Sequence, residues 1–337
     1  MDKTLTISVA AYNVEKYIVK LLDSIIAAEV NDDIEVFVVD DGGKDRTAAI
    51  AKEYEEKYPE TIKLVQKENG GHGSTINKGI ELATGKYFRA LDGDDWLDSE
   101  VLKKVVTALK QAEADLVIVD YMDAYEDGNY ELCTMKNLSD GQFYDFDDIV
   151  DLIDWSTYHY TIYRTSILQE NNIRLTERCF YVDSEFCLFP IPHVQKVFYM
   201  HGPLYYYRLG YNEQSVSAVG RKKHIADSDK VSRNMLTFIR DNESRITPKK
   251  KQYLLHVTMR HLVRHYHALL LFEPTPEQKQ KVLEFERFVK EYSKELYDQI
   301  GENSKICRML RKTNYAFYPL IINIRKKKHK ELYPENI

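Results

Sequence analysis

The chain reads YFRALDGDDWLD at residues 87–98, a mostly apolar run that ends on clustered aspartates. The run 87–91 has the length and composition of a buried strand. Side chains at positions i and i+2 of a strand or turn point the same way, so Asp92 and Asp94 can face one ligand. Two carboxylates so close repel each other unless a cation or hydrogen-bond donors offset their charge. Mg²⁺ and Mn²⁺ bind such pairs and fill their other positions with water and phosphate oxygens, so the pattern predicts a metal–diphosphate site.

A simpler interpretation is that Asp94 and Asp95 cap the helix predicted over 99–112, because aspartate is preferred before a helix.

Two other predicted strands are also followed by polar clusters. Ala10–Asn13 follows strand Leu5–Val9, and Asp40-Asp41-Gly42 follows strand Ile34–Val39. Ligands of open α/β sheets gather at the carboxyl ends of the strands, so the three clusters together predict one site.

The order of strands and helices predicts the fold class. The first 120 residues alternate short apolar runs with amphipathic helical patterns, which is typical of βα units and a mostly parallel sheet. After residue 220 the chain turns to charged helical segments, predicted over 221–241, 248–272, 275–299 and 302–313. We therefore predict an α/β domain over residues 1–220 and a helical region over 221–337.

Several classes of protein are disfavoured. The first strand is followed by Ala-Ala-Tyr-Asn rather than G-x-G-x-x-G, which argues against a dinucleotide-binding fold. A net charge of −6 argues against a nucleic-acid binder. The four cysteines show no zinc or disulfide spacing, and no signal peptide or membrane-spanning run is present. These features predict a protein of the cytosol or of the cytosolic face of the membrane.

The motifs resemble those of the family 2 glycosyltransferases. The resemblance covers Tyr12–Ile18, Val39–Gly42, Asn77–Tyr87 and Asp92–Leu97 in the family's order and spacing. It implies a GT-A fold, a UDP-sugar donor and Mn²⁺ or Mg²⁺. It also implies a nucleotide site in which Asp41 binds the base, Asp92 lies near the ribose and Asp94 binds the metal, with Asp92 as a second metal ligand. The other residues that it assigns to the nucleotide are Ala10, Tyr12, Asn13, Glu15 and Asn77.

The family's catalytic base corresponds to Asp183, in the stretch Tyr181–Phe186. Val182 replaces the glutamate that usually precedes this residue, and Glu185 could compensate only if the loop bends, because i and i+2 on a helix do not face each other. Asp183 could instead be the N-cap of a helix over Ser184–Phe189.

A second departure from the family pattern is Ile76, which stands where the family usually has arginine. Lys78 or His72 could supply that cation.

A second stretch, Tyr205–Arg208 followed by Gln214–Ser217, resembles a family loop, and the part between Gly210 and Gly220 could close over the donor as a mobile lid. Arg208 could hold phosphate oxygens bidentately, or it could be an ordinary surface arginine. Further loop and acceptor residues in this prediction are Trp96, Glu185, Ser215 and Ser217.

The helical region has two features of interest. An apolar patch and a basic cluster over residues 318–330 predict a peripheral contact with an anionic membrane, the alternative being a solvated tail. His261 and His265 have i, i+4 spacing without the glutamate of a zinc motif, which favours a packing helix. The region could also form an acceptor platform or a homodimer interface.

The resemblance implies a non-processive, inverting transferase that moves a hexose or N-acetylhexosamine from a UDP-sugar to a glycan or lipid-linked acceptor in envelope or capsule synthesis. The processive Gln-x-x-Arg-Trp motif is missing, since the two tryptophans are Trp96 and Trp155. The alternative is a nucleotide-sugar-binding protein that has lost catalysis, which Val182 leaves open. A sugar-phosphate nucleotidyltransferase is disfavoured by the lack of a Gly-rich first loop.

Overall fold

The computed structural model describes residues 3–153, 157–209 and 217–328. The chain divides into two compact units, residues 1–210 with 245–250 and residues 211–244 with 251–337. We call them the α/β unit and the helical unit. The predicted fold class, a mixed α/β sheet with a helical C-terminal region, is confirmed. The domain boundary near residue 220 stays a prediction.

The α/β unit is built on one sheet. The ten strands are β1 (Leu5–Ala11), β2 (Ile34–Asp40), β3 (Ile62–Gln66), β4 (Tyr87–Asp92), β5 (Trp96–Leu97), β6 (Leu116–Tyr125), β7 (Tyr130–Cys133), β8 (Gln142–Asp145), β9 (Thr161–Arg164) and β10 (Lys196–Leu209). Their order in the sheet is β3-β2-β1-β4-β9-β6-β10-β5, with β7 beside β6 and β8 beside β10. The first four of these strands are parallel, and β9 runs antiparallel to both of its neighbours. Strands β1, β2 and β4 contain the predicted runs 5–9, 34–39 and 87–91.

The helices of this unit cover the sheet and bury apolar faces. They are α1 (Ile18–Ile26), α2 (Thr47–Lys57), α3 (His72–Leu82), α4 (Ser99–Gln111), α5 (Phe146–Ile149), α6 (Thr165–Glu170) and α7 (Asp183–Leu188). The N-cap of α4 is Asp98, whose side chain accepts the Val101 N–H at 2.9 Å. The interpretation of Asp94 and Asp95 as caps of this helix is therefore wrong, and both carboxylates are left for the strand end.

The helical unit packs its helices around a separate core. They are α8 (Ala218–Lys223), α9 (Ile225–Asn242), α10 (Pro248–Leu269), α11 (Pro276–Tyr292), α12 (Lys294–Asn303), α13 (Lys305–Lys312) and α14 (Tyr318–Lys328). The helix predicted over 275–299 is in fact broken at Ser293, which caps α12 by accepting the Leu296 N–H. Ser304 caps α13 in the same way. None of the helices in the described residues is both long and apolar enough to cross a bilayer.

Candidate nucleotide-sugar site

The sheet register brings the acidic clusters to one edge. Ala11 pairs with Asp40 on β2, and Ala10 pairs with Asp92 on β4. Neighbouring strands lie about 4.8 Å apart, so the ends of β2 and β4 are about 10 Å from each other on either side of β1. The sequence-based expectation that these carboxylates share one edge agrees with this register.

Asp41 organises the glycine-rich turn before α3. Its carboxylate accepts the Gly70 and Gly71 N–H groups at 2.9 and 2.7 Å and pairs with Lys67 Nζ at 2.8 Å. Ser74 Oγ lies 3.3 Å away. Because Asp41 is only 3% exposed, this set of donors is what makes its buried charge tolerable. The turn is thereby fixed beside the end of β2.

The loop after β1 is tied to the loop after β2. Asn13 Oδ1 accepts the Lys44 N–H at 2.8 Å, and Glu15 accepts the Arg46 N–H at 2.8 Å. Asn13 adopts a left-handed backbone with φ 54°, which asparagine tolerates better than most residues. Tyr12 is 50% exposed at this loop. Two adjoining loops thus form one wall of the strand edge.

Asp92 is held between a histidine and a tyrosine. Its Oδ1 lies 3.0 Å from His72 Nε2, and its Oδ2 accepts the Tyr158 hydroxyl. Burial alone would raise the pKa of Asp92, but the His72 charge and these contacts lower it to about 2. Burial disfavours the His72 cation, yet Asp92, aided by Asp183 and Asp94, outweighs it and raises the pKa of His72. An ionised carboxylate and a readily protonated imidazole therefore lie side by side.

Asp94 faces Arg208. The two side chains pair at 2.9 Å from Nη2 to Oδ2, and the Arg208 guanidinium lies 3.9 Å from the centre of the Tyr17 ring. Burial and the neighbouring Asp92 charge raise the pKa of the Asp94 carboxyl despite this arginine. Asp94 thus keeps uncompensated repulsion, which a further positive charge would relieve.

Asp95 lies deeper and braces the cluster. Its Oδ2 accepts a hydrogen bond from the Tyr205 hydroxyl, and its Oδ1 accepts one from the backbone N–H of Arg208 at 2.8 Å. Burial and the charges of Asp94 and Asp92 raise the pKa of Asp95 well above its usual range. Ligand atoms of Asp92, Asp95 and His159 lie within 4.8 Å of one another, a grouping that could hold a metal ion.

Asp183 begins α7 at the same edge. Val182 occupies the N-cap position, so Asp183 is the first helical residue, and the alternative that it is the N-cap is wrong. Its negative charge contributes to the raised pKa values of His72 and Tyr207, which places it electrostatically within the acidic cluster. Gly71 and Gly73 allow the close approach of this segment, since a Cβ on Gly73 would lie 2.3 Å from the Thr176 carbonyl oxygen.

Residues 6–171 match the sequence profile described as Glycosyl transferase family 2. The chain belongs to that family.

Two relatives illustrate the range of this glycosyltransferase family. EpsH of Bacillus subtilis is 29% identical over 218 residues, covering 60% of this chain and 59% of EpsH. TarS of Staphylococcus aureus, a poly(ribitol-phosphate) beta-N-acetylglucosaminyltransferase, is 27% identical over 178 residues, covering 51% of this chain and 29% of TarS. The chain therefore spans about three fifths of EpsH and under a third of TarS.

Two solved glycosyltransferase structures share the fold. Residues 1–349 of TarS in complex with UDP-GlcNAc superpose with a TM-score of 0.67 at 18% identity, covering 96% of this chain and 92% of the other. A Pyrobaculum calidifontis mannosyltransferase in complex with GDP-Man and Mn²⁺ gives a TM-score of 0.54 at 16% identity, covering 100% and 89%. At these identities the likeness shows the GT-A fold alone.

Two residues assigned from the glycosyltransferase motifs have structural partners. Asn77 is 3% exposed, and its amide both donates to and accepts from the Leu175 backbone, at 2.9 and 2.8 Å. Glu185 is fully buried, and its two oxygens accept from the Thr176 N–H and hydroxyl at 2.8 and 2.9 Å. Both side chains therefore fix the segment that leads to Asp183.

The remaining loop residues make other local contacts or fall outside the described residues. Trp96 stacks on Tyr206 at 5.4 Å between ring centres, with Lys20 Nζ over its face. Ser217 caps α8 by accepting the Gly220 N–H at 3.1 Å. Ser215 falls outside the described residues, as do residues 329 and 330 of the basic cluster. Their predicted roles stay predictions.

Four partners of the carboxylates were not predicted from the sequence: Lys67, Tyr158, His159 and Tyr205. Tyr158 is 66 residues from Asp92, and Tyr205 is 110 residues from Asp95. No local pattern signals such pairings. Lys67 had a signal of its own, since a cation directly before a glycine-rich turn is suited to hold a carboxylate there.

Proposed function

We propose that this chain is a non-processive, inverting glycosyltransferase that moves a hexose or N-acetylhexosamine from a UDP-sugar to a hydroxyl of a glycan or lipid-linked acceptor. The observation that carries the proposal is the acidic cluster at the strand edge, where three carboxylates crowd together beside an ordered turn. Membership of the family supports the reaction class. The TarS complex with UDP-GlcNAc and the mannosyltransferase complex with GDP-Man support a nucleotide-sugar donor.

Asp94, with Asp92, would hold a divalent cation. The donor set fits Mn²⁺ or Mg²⁺, since both carboxylates are hard oxygen ligands and their side chains stay 32% and 26% exposed. Asp95 is 2% exposed and fully engaged by Tyr205 and Arg208, so we assign it a supporting role. When bound, the ion would neutralise charge on the departing diphosphate. The Mn²⁺ complex of the mannosyltransferase is consistent with this assignment.

The donor would lie along the edge from Asp41 to Arg208. Asp41 orients the glycine-rich turn for the base, and Ala10, Tyr12, Asn13 and Glu15 form the adjoining wall. Asp92 would face the ribose side, and Arg208 would exchange part of its bond with Asp94 for phosphate oxygens, which it can hold bidentately. Such an exchange lets the arginine stabilise the leaving group that accumulates charge during transfer.

Asp183 would accept the proton of the acceptor hydroxyl. The carboxylate needs only to lie within hydrogen-bond reach as the new bond forms, so a strongly basic group is not required. The charges of Asp92 and Asp183 both contribute to the raised pKa of His72, which favours its cationic form beside these carboxylates. His72 is thus the candidate to provide the cation that Ile76 does not supply.

The test is Asp183→Asn in a UDP-release assay with Mn²⁺. We expect the rate to fall about 10²–10⁴-fold while UDP affinity is unchanged, because a general base acts on the acceptor and not on the donor. Asp148→Asn, at an exposed carboxylate, is the matched control. Full activity of Asp183→Asn would refute the assignment of the base. Mn²⁺-dependent UDP binding without turnover of any nucleotide sugar by the unmodified chain would instead favour a binding protein that has lost catalysis.

A further inference from the structure

A cavity of about 280 Å³ lies in the helical unit, lined by residues of α9, α10 and α11 and of the turn after α10. This volume is near the lower end of the range for small-molecule sites, roughly 300–1,000 Å³, so it fits one small ring rather than an extended chain. Part of its lining is apolar and aromatic: Ile225, Leu269, Phe272 and Phe285. A ligand with an apolar face would be desolvated there.

His265 supplies a buried polar atom to this lining. The side chain is 1% exposed, and its Nδ1 lies 2.9 Å from Ser228 Oγ. Its Nε2 has no hydrogen-bond partner among the described residues, the nearest charged group being Asp229 Oδ1 at 3.9 Å. Burial lowers the pKa of His265 to about 3, so the ring is neutral at pH 7. A buried polar atom without a partner is costly and calls for an explanation.

Gln278 supplies a second polar atom. Its side chain is 7% exposed, and its Nε2 donates to the Leu269 carbonyl at 2.7 Å. That bond fixes the amide orientation, and Oε1 accepts no hydrogen bond from the residues described. The lining therefore offers two fixed polar atoms beside two aromatic rings.

The charges around the cavity cancel. Arg233 pairs with Asp229 at 2.7 Å, and the exposed Lys281 and Glu284 carry opposite charges. A phosphate or a cation would gain little from such a balanced lining, because attraction to one member is offset by repulsion from the other. A neutral ligand pays no such penalty.

We propose that this cavity is a binding site for a single neutral sugar residue, separate from the nucleotide-sugar site. A pyranose combines an apolar C–H face, which can pack on Phe272 and Phe285, with hydroxyls that both donate and accept hydrogen bonds. Those hydroxyls satisfy His265 Nε2 in either tautomer as well as Gln278 Oε1. The site would let the helical unit hold a glycan independently of the donor.

Saturation-transfer NMR on the full chain tests this, with methyl β-glucopyranoside and methyl N-acetyl-β-glucosaminide as probes and no nucleotide or metal present. Two substitutions in the cavity, His265→Phe and Ala226→Trp, should each weaken binding of the glycosides. His265→Phe keeps the ring and removes the polar atom, which should raise Kd about tenfold. Ala226→Trp, at an exposed position of α9 that lines the cavity, should abolish binding by filling its mouth.

Two controls locate the effect. Lys230→Trp adds the same side chain at another exposed position of α9 that does not line the cavity, and it should bind as the unmodified chain does. Asp94→Asn alters the nucleotide-sugar site and should also leave glycoside binding unchanged. Absence of saturation transfer from both glycosides would overturn the proposal, as would undiminished binding by Ala226→Trp. Binding of inorganic phosphate in their place, detected by ³¹P line broadening and lost in Ala226→Trp, would show an anion site and overturn the proposal. If His265→Phe does not fold, Ala226→Trp decides the question, and because no donor is added, the result is independent of transferase activity.

Discussion

Two regions of this chain, the strand edge of the α/β unit and the histidines of α10 in the helical unit, hold their polar side chains in different ways. At the strand edge, carboxylates lie beside cationic side chains, as Asp41 does beside Lys67 and Asp92 beside His72. In the helical unit the buried histidines are neutral, since burial lowers the pKa of His261 to about 4 and that of His265 to about 3. Crowded charges are stabilised by a charged ligand, whereas neutral polar atoms suit packing or a neutral ligand. The contrast therefore separates the kinds of molecule that each unit can bind.

The largest effect is expected from removing a buried charge of the α/β unit. Asp41→Ala leaves two backbone N–H groups and Lys67 without their acceptor, which should destabilise the α/β unit by about 4 kcal/mol. Urea unfolding followed by tryptophan fluorescence reports this unit, because both tryptophans fall within residues 1–210. Glu81→Ala is the control, since it removes a half-exposed pair with Lys78 and should cost under about 0.5 kcal/mol. Equal losses in the two variants would contradict the structural role of Asp41.

The next largest effect is expected from disturbing the close packing at the start of α3, the helix that carries His72. Gly73→Ala should destabilise the α/β unit by about 3 kcal/mol, because its Cβ would meet the Thr176 carbonyl at 2.3 Å and α3 would have to move. Gly141→Ala is the matched control: its φ is 70° and a Cβ there would meet nothing within 4 Å, so only left-handed strain of about 1 kcal/mol is expected. Wild-type stability of Gly73→Ala would mean that this contact is not rigid.

The two units should respond differently to acid, because the α/β unit holds two histidines with opposite shifts: the pKa of His72 is raised, whereas burial lowers the pKa of His159 to about 3. His261 and His265 have folded pKa values below the ordinary 6.5, so their neutral forms stabilise the helical unit above pH 6.5, and that contribution is lost as the pH falls. Between pH 7.5 and 5.5 the loss should be about 2–3 kcal/mol for the pair. His72 has a raised pKa, so its contribution to the α/β unit is present below pH 6.5 and is lost as the pH rises.

Urea unfolding at both pH values, followed by circular dichroism and by tryptophan fluorescence, checks this prediction. The helical transition should move to lower urea at pH 5.5 while the fluorescence transition does not. The double variant His261→Gln/His265→Gln should lose most of the pH dependence of the helical transition. A parallel shift of both transitions in the unmodified chain would show that the histidines are not its cause.

Much of the α/β unit could be predicted from local sequence, and the helical unit less so. The runs 5–9, 34–39 and 87–91 are short and apolar, and each proved to be a strand ending on polar residues. The break between α11 and α12 was missed even though Ser293 is a suitable N-cap, because the apolar period continues on both sides. In the patch at 318–322, Tyr318, Ile321 and Ile322 belong to the core of the helical unit while Leu320 is exposed, so the membrane contact predicted over 318–330 stays a prediction.

The candidate site was predictable only in part. The aspartates follow strands, and their convergence follows from the parallel order of β2, β1 and β4. Their partners could not be found, because Tyr158, His159 and Tyr205 come from distant strands and turns whose pairing depends on the whole sheet. The sequence locates the charges, and the tertiary structure decides what neutralises each of them.

The smallest expected effect is a change in the pKa values of two side chains at the strand edge. Asp92→Asn removes a like charge beside Asp94 and the acidic partner of His72, so the pKa of Asp94 and the pKa of His72 should both fall. Carboxyl and imidazole NMR titrations without metal measure both groups, and His265 in the helical unit serves as the internal control whose pKa should not change. Because burial contributes most to the raised pKa of Asp94, that pKa should stay above the ordinary aspartate value in the variant. If the pKa of His72 falls and the pKa of Asp94 does not, Asp92 acts on the histidine alone. The raised pKa of Asp94 would then be due to burial and not to repulsion between the carboxylates.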